Sequence, residues 1–187
     1  MTHRLEDVIA LFDGLFQSSY KTCLIRGGDE PLYLPADDTT PFHRVIFAHG
    51  FYASALHEIS HWCIAGARRR QWEDYGYWYL PDGRDPAEQQ DFEGVEVAPQ
   101  ALEMLFSFAC GLTFNVSVDN LGGDVEVDRD AFRARVEARA ARYQRDGLPV
   151  RAAALERALQ AFYHQGADLE QAVAAGRAIL QLSLMPG

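Results

Sequence analysis

The stretch FAHGFYASALHEISHWCIAG, residues 47–66, runs from a β-prone segment through His49-Gly50 into an apolar helix. Arg44 to Ala48 reads as the strand. Tyr52, Ala53, Ala55, Leu56, Ile59, Trp62 and Ile64 make the following segment helix-compatible, and Gly66 suits its end. Within it stands His57-Glu58-Ile59-Ser60-His61. Two histidines four apart share one helix face, about 6 Å apart along the axis. That separation suits two imidazoles converging on one divalent metal. Glu58, beside the first of them, is placed to reach a water at such a metal or to steady the site. H-E-x-x-H also arises by chance. Here, however, the helix is apolar on most sides, so buried His57 and His61 need partners. With His49, half of the six histidines fall between positions 49 and 61. A metal site is expected.

Two histidines do not hold a catalytic metal alone, so a third protein ligand is expected. No second H-x-x-x-H exists. His49 is one candidate, but it sits at a strand end and suits orienting a ligand from outside the donor set. The acidic candidates are Glu93, Glu96 and Glu103, in FEGVEVAPQALE. Glu96, flanked by Val95 and Val97 just ahead of Pro99, has the strongest reason to find a cation. Glu93 is the alternative, and Glu103 is expected to face solvent. Two histidines and a carboxylate fit zinc, with Glu58 as general base of a hydrolase, or iron(II), with open positions for dioxygen. None of the six histidines has Asp or Glu two residues on, so the His-x-Asp/Glu signature of 2-oxoglutarate oxygenases is missing. The residues alone favour a hydrolase. A metal-stabilised binding module without catalysis is the third reading.

The chain has 187 residues, 48% of them hydrophobic, enough for one well-cored domain, expected to span 1–187. A net charge of −10 repels phosphate backbones and argues against nucleic acid as a partner. Lys21 is the one lysine and no G-x-x-x-x-G-K exists, so no nucleotide is expected. Cys23, Cys63 and Cys110 lie apart with no C-x-x-C, which reads as reduced thiols in a cytoplasmic protein. No basic leader and no run of about 20 apolar residues is visible, so no membrane is expected.

Leu5, Val8, Ile9, Phe12, Leu15 and Phe16 repeat at helical spacing. Thr22 to Arg26, Leu32 to Leu34 and Arg44 to Ala48 read as strands between turns, and Tyr75 to Leu80 as a further β-prone run. A second apolar helix is expected from about Ala98 to Leu112, with Pro99 in its first turn. Three more follow: Asp128 to Arg145, Val150 to His164 and Asp168 to Leu184, the last opened by Asp168 and Gln171 at capping-box spacing. The fold class is α+β, a helix-rich single domain with a small sheet.

Four blocks carry a family resemblance: FAHGFYASALHEISHWCIAG, YGYWY-x-PDGRD, VEV-x-PQAL and FNVS-x-DNL. Together they resemble the bacterial elongation factor P hydroxylases, over roughly positions 5 to 165. The resemblance implies hydroxylation of the β-lysylated lysine of elongation factor P, a post-translational modification in translation. It implies a non-heme metal, iron(II), with dioxygen as co-substrate, in a metallopeptidase-like arrangement. Carried over by motif, the ligands are His57, His61 and Glu96. Arg68, Arg69 and Arg70 then have two readings, cations complementing the end of the metal helix or a patch that docks an acidic protein. Tyr75, Tyr77, Trp78 and Tyr79 are read mainly as sheet packing, with alternate side chains, Tyr77 among them, available to wall a pocket for a lysyl arm.

Overall fold

The computed structural model describes residues 2–77, 81–123 and 125–185. Helix α1 (Leu5–Phe16) forms on the expected period and turns Val8, Leu11, Phe12, Leu15 and Phe16 inward. Strands β1 (Thr22–Arg26), β2 (Leu32–Leu34) and β3 (His43–Phe47) make one sheet in the order β1-β3-β2. β1 runs parallel to β3, with Leu24 opposite Val45, and β2 runs antiparallel, with Tyr33 opposite Val45. At the edge strand β1, the Leu24 amide donates to Asp13 of α1 at 2.9 Å, so helix and sheet are tied by a bond that pattern reading does not show.

From β3 the chain turns sharply at His49 and Gly50, both left-handed (φ 60° and 66°), into α2 (Tyr52–Ile64). The positive φ favours glycine at position 50, while the Arg26 guanidinium beside it is the movable end of an exposed side chain. The last carbonyls of α2 face a cation from far along the chain. Buried Arg151 donates to the oxygens of Trp62 (2.7 Å), Cys63 (3.2 Å) and Ala65 (2.6 Å) and lies 4.4 Å from the Trp62 ring. Arg70 adds a bond to Ala65 at 2.7 Å. The helix bearing the histidines is thus held at its negative end by two guanidiniums.

Helix α3 (Pro86–Cys110) begins twelve residues before the expected start. Asp85 accepts from the Glu88 amide at 2.8 Å and Pro86 occupies the first turn, which is the capping logic expected at Pro99. Pro99 instead lies buried in the helix interior, where the missing N–H costs about 3 kcal/mol. Packing of α3 on α2 and on α5 (Val150–His164) offsets that. As a result Glu96, Gln100 and Glu103 are consecutive members of one helix face, instead of Glu96 standing ahead of the helix.

Helix α4 (Arg129–Asp146) packs on α3, and its Arg133, Arg135, Arg142 and Arg145 are exposed, as a solvated helix face requires. Helix α6 (Leu169–Ser183) has the complete Asp168–Gln171 capping box. Gly176 lets α6 approach closely, since a Cβ there would lie 2.6 Å from both the Ala154 carbonyl and Leu15. The main core joins α1, the sheet, α2, α5 and α6, while a smaller one gathers Val116, Val118, Phe132, Val136 and Ala140 against α3. Among the described residues the protein is therefore helix-rich, with six helices and one three-stranded sheet.

The aromatic run at Tyr75 to Leu80 departs from expectation. Glu73–Gly76 is a 3-10 turn in which Asp74 and Tyr75 take φ of 47° and 62°, and Trp78 to Leu80 lie outside the described residues. Left-handed backbone cannot extend a strand. All three cysteines are free, and burial pushes the thiols of Cys63 and Cys110 up to about 12. Among the described residues no helix is long and apolar enough to cross a membrane.

Candidate metal centre

The inward faces of α2 and α3 bring His57, His61 and Glu96 together, with one potential ligand atom of each within 4.8 Å of the others. His61 Nε2 lies 2.9 Å from Glu96 Oε1, and His57 Nε2 lies 3.6 Å from Glu96 Oε2. The two imidazole rings are 4.9 Å apart and inclined at 72°. Two neutral imidazoles and a carboxylate are a donor set suited to a divalent transition metal, so the residues fit such an ion.

Two further residues of α3 hold this set in place. His57 Nδ1–H donates to Glu103 Oε1 at 2.6 Å, which leaves Nε2 as the ring nitrogen turned toward Glu96. Gln100 Nε2 donates to Glu96 Oε2 at 3.0 Å and to the Ser117 carbonyl at 2.7 Å, while its Oε1 accepts from the Ser117 amide at 2.9 Å. Glu103 is 12% exposed at its side chain, not the solvent-facing residue expected. The spacing Glu96, Gln100, Glu103 is the helical signal that would have revealed it. A helix beginning at about Ala98 leaves Glu96 outside it, so the shared face does not show.

The electrostatics of the metal-free cluster are strongly polarised. Burial works against a charged His57, but the bond to Glu103 and the charges of Glu96, Glu103 and Glu58 outweigh it and raise the imidazole to about 10. For Glu96 burial favours the neutral acid. The bond to His61, the charges of His61 and His57, and the Gln100 amide overcome that and hold the carboxyl at about 2. Glu58 goes the other way: burial raises it, His57 and His61 pull it down less, and Glu96 and Asp74 push it further up. Adjacent carboxyls in one site thus differ in their hold on a proton.

Other residues singled out in the sequence lie around this set. His49 is exposed on its left-handed turn with its ring 6.1 Å from Phe51, and Glu93 is half-buried one turn before Glu96; neither belongs to the donor group. Arg70 is engaged with Ala65, Arg69 donates to the Tyr75 carbonyl at 3.1 Å and lies 4.1 Å over the Tyr77 ring, and Arg68 is exposed. Asn120 accepts from the amides of Gly83 and Arg84 and donates back to the Arg84 carbonyl.

Against known proteins, residues 11–173 match the family described as EpmC, elongation factor P hydroxylase. The chain is also 50% identical over 172 residues to the elongation factor P lysine hydroxylase of Haemophilus influenzae, an alignment covering 92% of this chain and 96% of that protein. The resemblance read from the four sequence blocks is borne out over nearly the whole length. Matched across most of both proteins, this chain belongs to the elongation factor P hydroxylase family.

Proposed function

We propose that this chain hydroxylates the β-lysylated lysine of elongation factor P in the cytoplasm, acting as one domain over 1–187. The observation that carries this reading is the His57–His61–Glu96 donor set within a member of this family. In it His57, His61 and Glu96 hold iron(II), with dioxygen as co-substrate, on a peptidase-like H-E-x-x-H helix. The bound iron supplies the one-electron and dioxygen chemistry that side chains lack. Glu103 fixes the His57 tautomer, and Gln100 aims the Glu96 carboxylate. Glu58 accepts or returns a proton beside the set, and exposed Arg68 meets an acidic face of the substrate protein, an attraction that salt weakens.

The supporting role of Glu103 gives a direct expectation. Glu103→Ala lowers divalent-metal affinity about 10–100-fold with helix content unchanged. Calorimetric titration reads this, and equal affinity in variant and parent removes Glu103 from the assignment. The reaction class is tested with isotopes. Product made under labelled dioxygen is expected to carry the label. Label arriving only from water sinks the oxygenase reading in favour of a zinc hydrolase with Glu58 as base.

A further inference from the structure

Past the last turn of the metal helix the chain builds a small exposed platform over residues 66–77. It is set directly by that helix: the His61 carbonyl accepts from the Ala65 amide at 3.1 Å, the Gly66 carbonyl accepts from the Arg70 amide at 3.0 Å, and the Arg70 side chain holds Ala65. Two 3-10 turns, Arg69–Gln71 and Glu73–Gly76, meet at Trp72. The Trp72 main chain is fixed on both sides, its amide donating to the Arg69 carbonyl at 3.1 Å and its carbonyl accepting from the Tyr75 amide at 3.0 Å. The second turn is anchored in the fold. Asp74 Oδ1 accepts from the Tyr33 amide at 2.9 Å, the Tyr75 ring stacks on Tyr33 at 4.3 Å and 16°, and Arg69 donates to the Tyr75 carbonyl. Asp74 and Tyr75 take positive φ there, which non-glycine residues keep only where their surroundings enforce it.

What this bracing displays is aromatic and cationic. Trp72 is 62% exposed, and among the described residues its indole has no hydrogen-bond, ring or cation partner. Tyr77 is 46% exposed, with the Arg69 guanidinium 4.1 Å over its ring. Arg68 and Arg69 are exposed and, among the described residues, neither pairs with a carboxylate, in a chain with 27 acidic and 17 basic residues. A lone exposed apolar side chain is ordinary. Tryptophan, tyrosine and arginine together are the residues that dominate binding energy at protein interfaces. A backbone already fixed spares the ordering cost of using them.

We propose that Trp72, with Tyr77, Arg68 and Arg69, is the docking surface for the folded body of elongation factor P, the indole entering an apolar pocket and the two guanidiniums meeting carboxylates around it. Charge selects this occupant. A second copy paired about a two-fold axis would set Arg68 and Arg69 against their own counterparts, and nucleic acid is repelled by the net charge of −10. A protein held here lies beside the helix that carries His57 and His61. The surface rests on the hydroxylase reading for the identity of its partner.

The test titrates the metal-loaded full chain, under nitrogen, with β-lysylated elongation factor P purified from cells that lack this protein. The parent is expected to bind. Trp72→Ala is expected to bind about thirtyfold more weakly, with metal content and melting temperature unchanged because only an exposed ring is lost. Arg68→Glu is expected to weaken binding at low salt, with the difference shrinking as salt rises. Leu182→Ala, which removes a similarly exposed side chain from α6, is expected to match the parent. In turnover, Trp72→Ala is expected to raise KM with kcat unchanged. No binding by the parent, or Trp72→Ala affinity within about twofold of it, overturns the proposal. So does a lowered melting temperature in Trp72→Ala, or Trp72-dependent pairing of the chain with itself in place of binding. Hydroxylation by Trp72→Ala at the parental KM removes the surface and leaves the hydroxylase reading. Trp72-dependent binding with no oxygen added to elongation factor P refutes the hydroxylase reading and leaves the surface.

Discussion

Glu96→Ala is expected to abolish stoichiometric metal while leaving the helices intact. Removing one of three donors opens the set, and the loss in affinity exceeds the roughly 10–100-fold typical of residues that only support a ligand. The fold survives because alanine is the better helix former and Gln100 keeps both bonds to Ser117. Elemental analysis with far-ultraviolet circular dichroism reads both quantities. Full metal in Glu96→Ala together with loss in Glu93→Ala would move the ligand one turn along α3. The same site sets a pH dependence. Metal requires neutral imidazole, and metal-free His57 keeps its extra proton up to about 10, so binding displaces a proton and apparent affinity climbs as pH rises toward that value. Metal-free stability runs differently for the two partners. The His57 contribution is complete below its unfolded value and is lost as pH rises through about 10. That of Glu96 is present above its unfolded value and is lost as pH falls through about 2. The metal-free protein is therefore most favoured in mildly acidic solution, where metal binds less well than at higher pH.

Arg151→Met is the largest expected loss of stability. It strips the carbonyls of Trp62 and Cys63 of their guanidinium and leaves them buried, whereas Ala65 keeps Arg70. Hydrogen bonds to a charged group contribute about 1.5–3 kcal/mol each, so a loss near 3–5 kcal/mol is expected. For a domain of this size that lowers the melting temperature by roughly 10 °C. Methionine retains most of the packing on Trp62, which separates the polar term from simple loss of volume. A melting temperature within about 2 °C of the parent would mean that water or Arg70 serves those carbonyls equally well.

Periodic elements were legible wherever one signal was unopposed. α1, β1, β2, α5 and the capping box of α6 lie within a residue or two of where hydrophobic spacing and capping residues put them. The start of α3 was missed because two prolines satisfy the same rule. Asp85-Pro86 is the true start, while Pro99 is carried inside the helix by packing on α2 and α5, which a local reading does not contain. The run from Tyr75 has strand composition, but contacts from Tyr33 and Arg69, distant in sequence, impose a turn on its first residues. In the candidate site, the histidine pair was readable from spacing, and Glu96 from an acid standing among valines. Glu103 was hidden by the misplaced helix start. Arg151 was hidden by the 86 residues separating it from the Ala65 carbonyl it serves.

The proposed hydroxylation of a lysine side chain of elongation factor P at the His57–His61–Glu96 set is read out by the intact mass of elongation factor P from cells with this protein, without it, and with His57→Ala or His61→Ala. A gain of one oxygen atom on the modified lysine is expected with the parent protein alone. An identical mass in all of these cells, with the lysine extension in place and the protein folded and metal-loaded, would contradict it.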